Sequence, residues 1–265
     1  MEKGLHQPNI LHALRGDAAA LRPEELIRLR ALGRCDVLIR LSWAELEPEQ
    51  GRYDEAAFAR LREGLIRLGA LGLEPVLCLF DGEGPGWFAR GGGWDQESNL
   101  GCSLRFVGKV VRSVGHLADR YATFYEPNAA ALRDHALTKG ARRLSHMACV
   151  HIRAYRLIHD MRDDRRWDDT RVGFVYRVTP PRLFQGRAFT LVQLPVSTIR
   201  DVPLRAMARG EFAPPLRNVL RVQPGTWCDF VGLSLTDKAS ALAAEKLALQ
   251  IGMTVDAPVW LADNG

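Results

Sequence analysis

The sequence predicts an α/β fold: a TIM-type (β/α)8-like barrel, incomplete at its C-terminus. Three observations predict it. Short runs of β-branched and aromatic residues alternate with amphipathic helical stretches, the rhythm of repeated βα units. The length of 265 residues suits one such barrel, so residues 1–265 are read as a single domain. The rhythm supplies seven strands, or six if the first is rejected, the last at the end of the sequence, so strand eight and its helix are expected to be missing.

In order, residues 9–14 form the first strand and 23–32 the first helix. Pro23 suits its opening turn, Glu24 and Glu25 its positive end, and Gly33 its stop. Residues 37–42 are the second strand. Phe58, Leu61, Leu65 and Leu68 step by three and four and predict a helix, capped by Asp54 and stopped at Gly72. Residues 75–80 form a third strand suited to burial on both faces. Residues 81–99 hold Gly82, Gly84, Gly86 and the run Gly91-Gly-Gly-Trp94. They read as a long loop, and loops of that length in a compact domain are usually functional. A helix over 104–118 leads into the fourth strand, Tyr121–Tyr125, which Pro127 stops. A helix over 144–161 and a strand over 171–178 follow. Residues 179–226 lack periodicity and hold seven prolines, which predicts an elaborated loop. A strand over 229–235, a helix over 239–251 and a strand over 258–262 complete the chain. A barrel left open after strand seven has an unpaired edge. A loop, a partner subunit or an unusual extra element is expected to cover it, a second copy of the chain there giving a homo-oligomer.

Bulk properties narrow the function classes. Hydrophobic content of 47% and charged content of 25% are ordinary for a soluble globular protein. No apolar run reaches the ~18 residues of a membrane span, and the N-terminus lacks the basic-then-apolar pattern of a secretory signal. A cytoplasmic location without a membrane partner is expected. Net charge is +5, with pairs such as Arg142-Arg143 and Arg165-Arg166. A nucleic-acid surface would show a longer basic run or an aromatic recognition motif, so the arginines are expected on a solvated surface with no nucleic-acid partner. The five cysteines are odd in number and include no C-x-x-C pair, which indicates neither a disulfide framework nor a zinc knuckle. They suit small core positions, with Cys102 a loop thiol. His146, His151 and His159 are spaced by five and eight, not as the i, i+4 pair of a helical zinc site. No metal is expected.

Two carboxylates stand at strand tips. Glu126 ends strand four and Asp263 ends strand seven. In a parallel barrel those tips form the face where chemistry is done. A carboxylate pair across a pocket is the minimal equipment for glycoside hydrolysis: one protonates the leaving oxygen, the other attacks carbon or activates water.

Several motifs carry a family resemblance. Thr123-Phe-Tyr-Glu-Pro127 resembles the T-F-N-E-P strand of family 1 glycoside hydrolases, the β-glucosidase family. Trp260-Leu-Ala-Asp-Asn-Gly265 resembles its nucleophile motif Y-I-T-E-N-G. Arg40-Leu-Ser-Trp43, with Glu47-Pro48 and Gly51-Arg-Tyr-Asp54, resembles R-F-S-x-S-W and the stretch after it. Gly92-Gly-Trp94 is similar to K-G-G-W, and Asp229-Phe-Val-Gly-Leu233 to D-F-I-G-I-N-Y-Y. The motifs run in order over nearly the whole chain. The resemblance implies a (β/α)8-type barrel, no cofactor and a carbohydrate ligand. It places Glu126 at the general acid/base, Asp263 at the nucleophile, and Arg40 where an arginine helps keep the nucleophile ionised.

The departures from the family cluster in the site. Y-H-W-D after strand three is here Phe80-Asp81-Gly82-Glu83, the Asn before the acid/base is Tyr125, and Asn-Tyr-Tyr after strand six is Ser234-Leu235-Thr236. Asp in place of Glu at 263 withdraws the carboxyl by ~1.5 Å, one bond length. Retaining enzymes hold their carboxyls roughly 5–5.5 Å apart and inverting ones roughly 6.5–9.5 Å. The change therefore leaves retention, inversion and loss of hydrolysis all open. Asp81 and Glu83 are candidate polar contacts to a ligand, or loop caps among glycines. Trp43, Trp87, Trp94 and Trp260 are candidate sugar-stacking rings, or core residues. Two functions follow: a β-glycosidase acting on O-glycosidic bonds, or a catalytically inactive sugar- or small-ligand-binding protein on a degenerate barrel.

Overall fold

In the computed structural model, seven parallel strands close into a barrel. The structure describes residues 10–15, 24, 27, 30–31, 36–82, 84–132, 137–178, 196–235 and 257–263. The strands are β1 (Ile10–Arg15), β2 (Asp36–Arg40), β3 (Glu74–Asp81), β4 (Arg120–Tyr125), β5 (Arg171–Val178), β6 (Phe230–Leu235) and β7 (Val259–Asp263). Each pairs with the next. β7 also pairs with β1, through Ile10–Leu261, Leu11–Ala262 and His12–Asp263.

That pairing corrects the expected open edge. Barrel closure depends on strand tilt and stagger together with strand number. A direct β7–β1 ladder satisfies the donors and acceptors that an edge would leave unpaired. An oligomer built on that edge loses its basis.

The principal helices are α1 (Glu55–Ala70), α2 (Leu100–Val114), α3 (Pro127–Leu132), α4 (Leu137–Asp163) and α5 (Val196–Arg209). Asp54 caps α1 as expected, its carboxylate accepting from the Ala56 and Ala57 amides at 2.9 and 3.0 Å. α1 buries Phe58, Leu61, Leu65 and Leu68. α2 begins at Leu100 instead of 104, and Cys102 is buried on it, not a loop thiol. Its sulfur accepts from Gln50 and Arg105. α5 lies inside the segment read as loop; Pro203 interrupts its pattern, yet Leu204, Ala206, Met207 and Ala208 are buried and the helix packs on α4. Of the first predicted helix only Glu24, Ile27, Arg30 and Ala31 are described, all helical. The helix expected over 239–251 lies outside the described residues.

The barrel interior holds Leu38, Val76, Cys78, Ala122, Tyr125, Val175, Phe230 and Trp260. Strict alternation cannot send both Ala122 and Tyr125 inward, since they are an odd number of residues apart. A register shift between them against β5 resolves this: Ala122 pairs with Gly173 and Tyr125 with Val175. The extra residue on β4 is a bulge, which re-aims side chains at a strand end. Phe124 then packs against Phe80 and Trp94, and Tyr125 takes the interior place.

Outside the barrel, buried His151 of α4 joins two layers. Its Nδ1 lies 2.7 Å from the Thr123 hydroxyl on β4 and its Nε2 2.8 Å from the Trp227 carbonyl ahead of β6. A neutral ring with its proton on Nε2 satisfies both. Burial pushes its pKa down to about 4.

Two predictions follow from this packing. A Cβ on Gly173 would lie 2.2 Å from the Phe230 carbonyl oxygen, so Gly173→Ala lowers urea stability by about 3 kcal/mol. His151 binds its proton more weakly folded than unfolded, so its contribution is fully present above about pH 6.5 and is lost as pH falls toward 4. Stability should drop by an amount on the order of 3 kcal/mol over that window, and urea midpoints of His151→Gln should show a shallower pH dependence.

Candidate active site

The C-terminal strand ends carry the predicted polar residues in two separate groups. The first lies at β2 and β3. Arg40 Nε is 3.4 Å from the Asp81 carboxylate, and the Arg40 guanidinium sits 4.4 Å above the Tyr125 ring. Burial first, then the neighbouring Glu126 charge, pushes the Tyr125 phenol up. A cavity of about 210 Å³ opens here, lined by Arg40, Asp81, Trp43, Gly82, Gly84 and Trp94 among others. That is smaller than pockets for drug-sized ligands, roughly 300–1,000 Å³.

The second group is built on β4, β5 and β6. Glu126 is only 6% exposed. Its backbone is left-handed, with φ +50°, a conformation costing a non-glycine residue about 1 kcal/mol or more. The surroundings hold it there. The Glu126 amide donates to the Val175 carbonyl at 2.8 Å. The Asn128 side chain clamps β5, accepting from the Arg177 amide at 3.1 Å and donating to the Arg177 carbonyl at 2.7 Å. The Glu126 carboxylate accepts from the Ser234 hydroxyl through Oε1 and pairs with the Arg177 guanidinium through Oε2. Ser234 also hydrogen-bonds Tyr125, which links the two groups.

The remaining candidates are distributed as follows. Trp94 is 1% exposed and belongs to an aromatic core with Trp43, Phe80, Phe88 and Phe124. It borders the cavity only from within that core. Its carbonyl meets His146 Nδ1 at 2.6 Å and its indole donates to the Gly82 carbonyl at 3.3 Å, so the glycine-rich loop is anchored. Trp260 is not a stacking surface for sugar: it lies inside the barrel, stacked on Phe230 with centroids 4.1 Å apart. Asp263 ends β7 beside His12 of β1, and its side chain lies outside the described residues, as does Glu83. Glu47 holds the loop after β2, accepting from the Trp43 indole and the Gly51 amide, both at 2.7 Å.

Arg177 and Ser234 were missed as site residues. The signal for Arg177 was present: a charged residue near the C-terminal end of a strand that is otherwise largely apolar, the logic that singles out Glu126. The opposite face of the barrel carries its own charges. Arg120 pairs with Asp36 and Glu74, and Asp229 accepts from Tyr155, His159 and the Val172 amide. These ties join strand starts to their neighbours.

This barrel, with a glutamate at the tip of β4, defines a class: the chain has the fold of the β-glycosidases, and it spans only part of the length of the relatives it matches. It is similar to the β-glucosidase from Thermotoga maritima in complex with deoxynojirimycin, with TM-score 0.71 and 16% identity, covering 91% of this chain and 65% of that one. It is also similar to a β-glycosidase from Pyrococcus horikoshii, with TM-score 0.62 and 21% identity, covering 82% and 52%. Among curated proteins it is 28% identical over 152 residues to the chloroplastic β-glucosidase-like SFR2 of Oryza sativa subsp. japonica, covering 48% of this chain. The chain spans 24% of that relative's length. No family model matches the chain.

The geometry gives a direct test. Ser234 is 1% exposed, and its removal leaves a buried carboxylate oxygen without that donor. Ser234→Ala is expected to cost about 2 kcal/mol in urea unfolding.

Proposed function

We propose that the chain is a β-glycosidase acting on O-glycosidic bonds, with Glu126 as the proton-transferring carboxylate and Asp263 as the second. The observation that supports this most is Glu126 itself. It stands at the tip of β4 in a strained backbone conformation, fixed by contacts from β5 and β6, and strain of that kind clusters at functional sites. The T. maritima relative in complex with deoxynojirimycin supports a carbohydrate-like ligand. Arg40 and Asp81 border a cavity next to the Glu126 group, which Glu126 itself does not line. Asp263, on β7, stands at the same end of the barrel as Glu126. No cofactor is part of this reading.

A second reading, a ligand-binding barrel without hydrolysis, is favoured by one observation. Arg40 and Glu126 already have protein partners, Asp81 in one case and Arg177 with Ser234 in the other.

A panel of aryl β-glycosides separates the two. The glycosidase reading predicts turnover that falls about a hundredfold or more in Glu126→Gln. A folded protein that binds sugar by calorimetry equally well with and without that substitution, and turns nothing over, supports the binding reading instead.

A further inference from the structure

To deliver a proton to a glycosidic oxygen, a carboxyl must carry that proton on an oxygen facing the substrate. Glu126 has a donor on each oxygen: the Ser234 hydroxyl on Oε1 and the Arg177 guanidinium on Oε2. Both carboxylate oxygens are therefore already engaged by protein groups on the side of β5 and β6. The Arg177 backbone cannot drift away, since the buried Asn128 side chain bonds both its amide and its carbonyl. Only the side chain, 41% exposed, can swing.

We infer that Arg177 is a positioning residue that holds Glu126 as a proton acceptor and so sets the substrate class of the site. The substrates are glycosides whose aglycone departs as a stable anion without being protonated. This rests on the glycosidase reading above. In the reaction the bond from the anomeric carbon to the aglycone oxygen breaks, and its electron pair leaves with an aryloxide. A water oxygen supplies the new bond to carbon, directly or after Asp263 has held the sugar. The proton of that water ends on Glu126. Alkyl glycosides and disaccharides, whose leaving oxygen must be protonated, are poor substrates.

The test compares wild type, Arg177→Met and Arg177→Lys on 2,4-dinitrophenyl and methyl β-glucosides. Wild type and Arg177→Lys are expected to favour the dinitrophenyl substrate strongly. Arg177→Met should raise the ratio of methyl to dinitrophenyl glucoside turnover about tenfold or more over that of wild type. The inference is overturned if wild type cleaves methyl glucoside as readily as the activated one, or if Arg177→Met lowers both substrates alike. If none of the three proteins cleaves any glycoside, the glycosidase reading fails. The hold on Glu126 is then judged by nitrogen NMR of the arginine side chains. Arg177 Nη signals resolved in the wild type and merged in Glu126→Gln uphold it; signals indifferent to that substitution overturn it.

Discussion

The carboxylate of Glu126 joins three strand ends. Its backbone continues β4, its two oxygens take donors from β5 and β6, and its amide bonds β5 as well. A buried carboxylate needs such partners, because desolvation without them is costly. The left-handed backbone at Glu126 is tolerated because these contacts over-determine it. The rest of the C-terminal face is arranged around the same point. Tyr125 is turned inward by the β4 bulge, Arg40 lies over Tyr125, and Asp81 balances Arg40.

Closure through β7 and β1 supports this arrangement from the other side. Seven strands enclose a narrow interior, filled in part by large rings such as Trp260 on Phe230. Close strand approach is enforced at Gly173, where the Phe230 carbonyl leaves no space for a side chain. The lower layers of the barrel are therefore packed, and polar chemistry is confined to the strand tips. At the opposite end the ionised groups serve strand pairing: Arg120 ties β4 to β2 and β3, and Asp229 ties the start of β6 to the start of β5 and to α4.

Much of the frame was legible because it rests on local periodicity. The apolar steps of α1 follow from residue spacing, the Asp54 cap from its residue type, and strands β2 to β7 from short apolar, β-branched runs. The strand-tip position of Glu126 was legible for the same reason. What was not legible depends on distant pairing. No local signal shows that β7 returns to β1, that β4 gains a residue against β5, or that Trp260 is needed to fill the interior. α5 was hidden because Pro203 interrupts a helix whose stability comes from packing on α4. Arg177 carried its own signal as a charge near a strand end, but its pairing with Glu126 across 51 residues, and that of Ser234 across 108, rests on distant contact that no local pattern shows.

The central claim is that Arg177 and Glu126 form a working pair in the folded protein. The coupling free energy between them tests it most directly, from urea unfolding of Glu126→Gln, Arg177→Met and the double variant. Arg177 is 41% exposed, so solvent screening limits the value to about 1 kcal/mol. A coupling of that size, with the single losses not adding in the double variant, is the predicted result. Strict additivity, with a coupling within about 0.3 kcal/mol of zero, would contradict it.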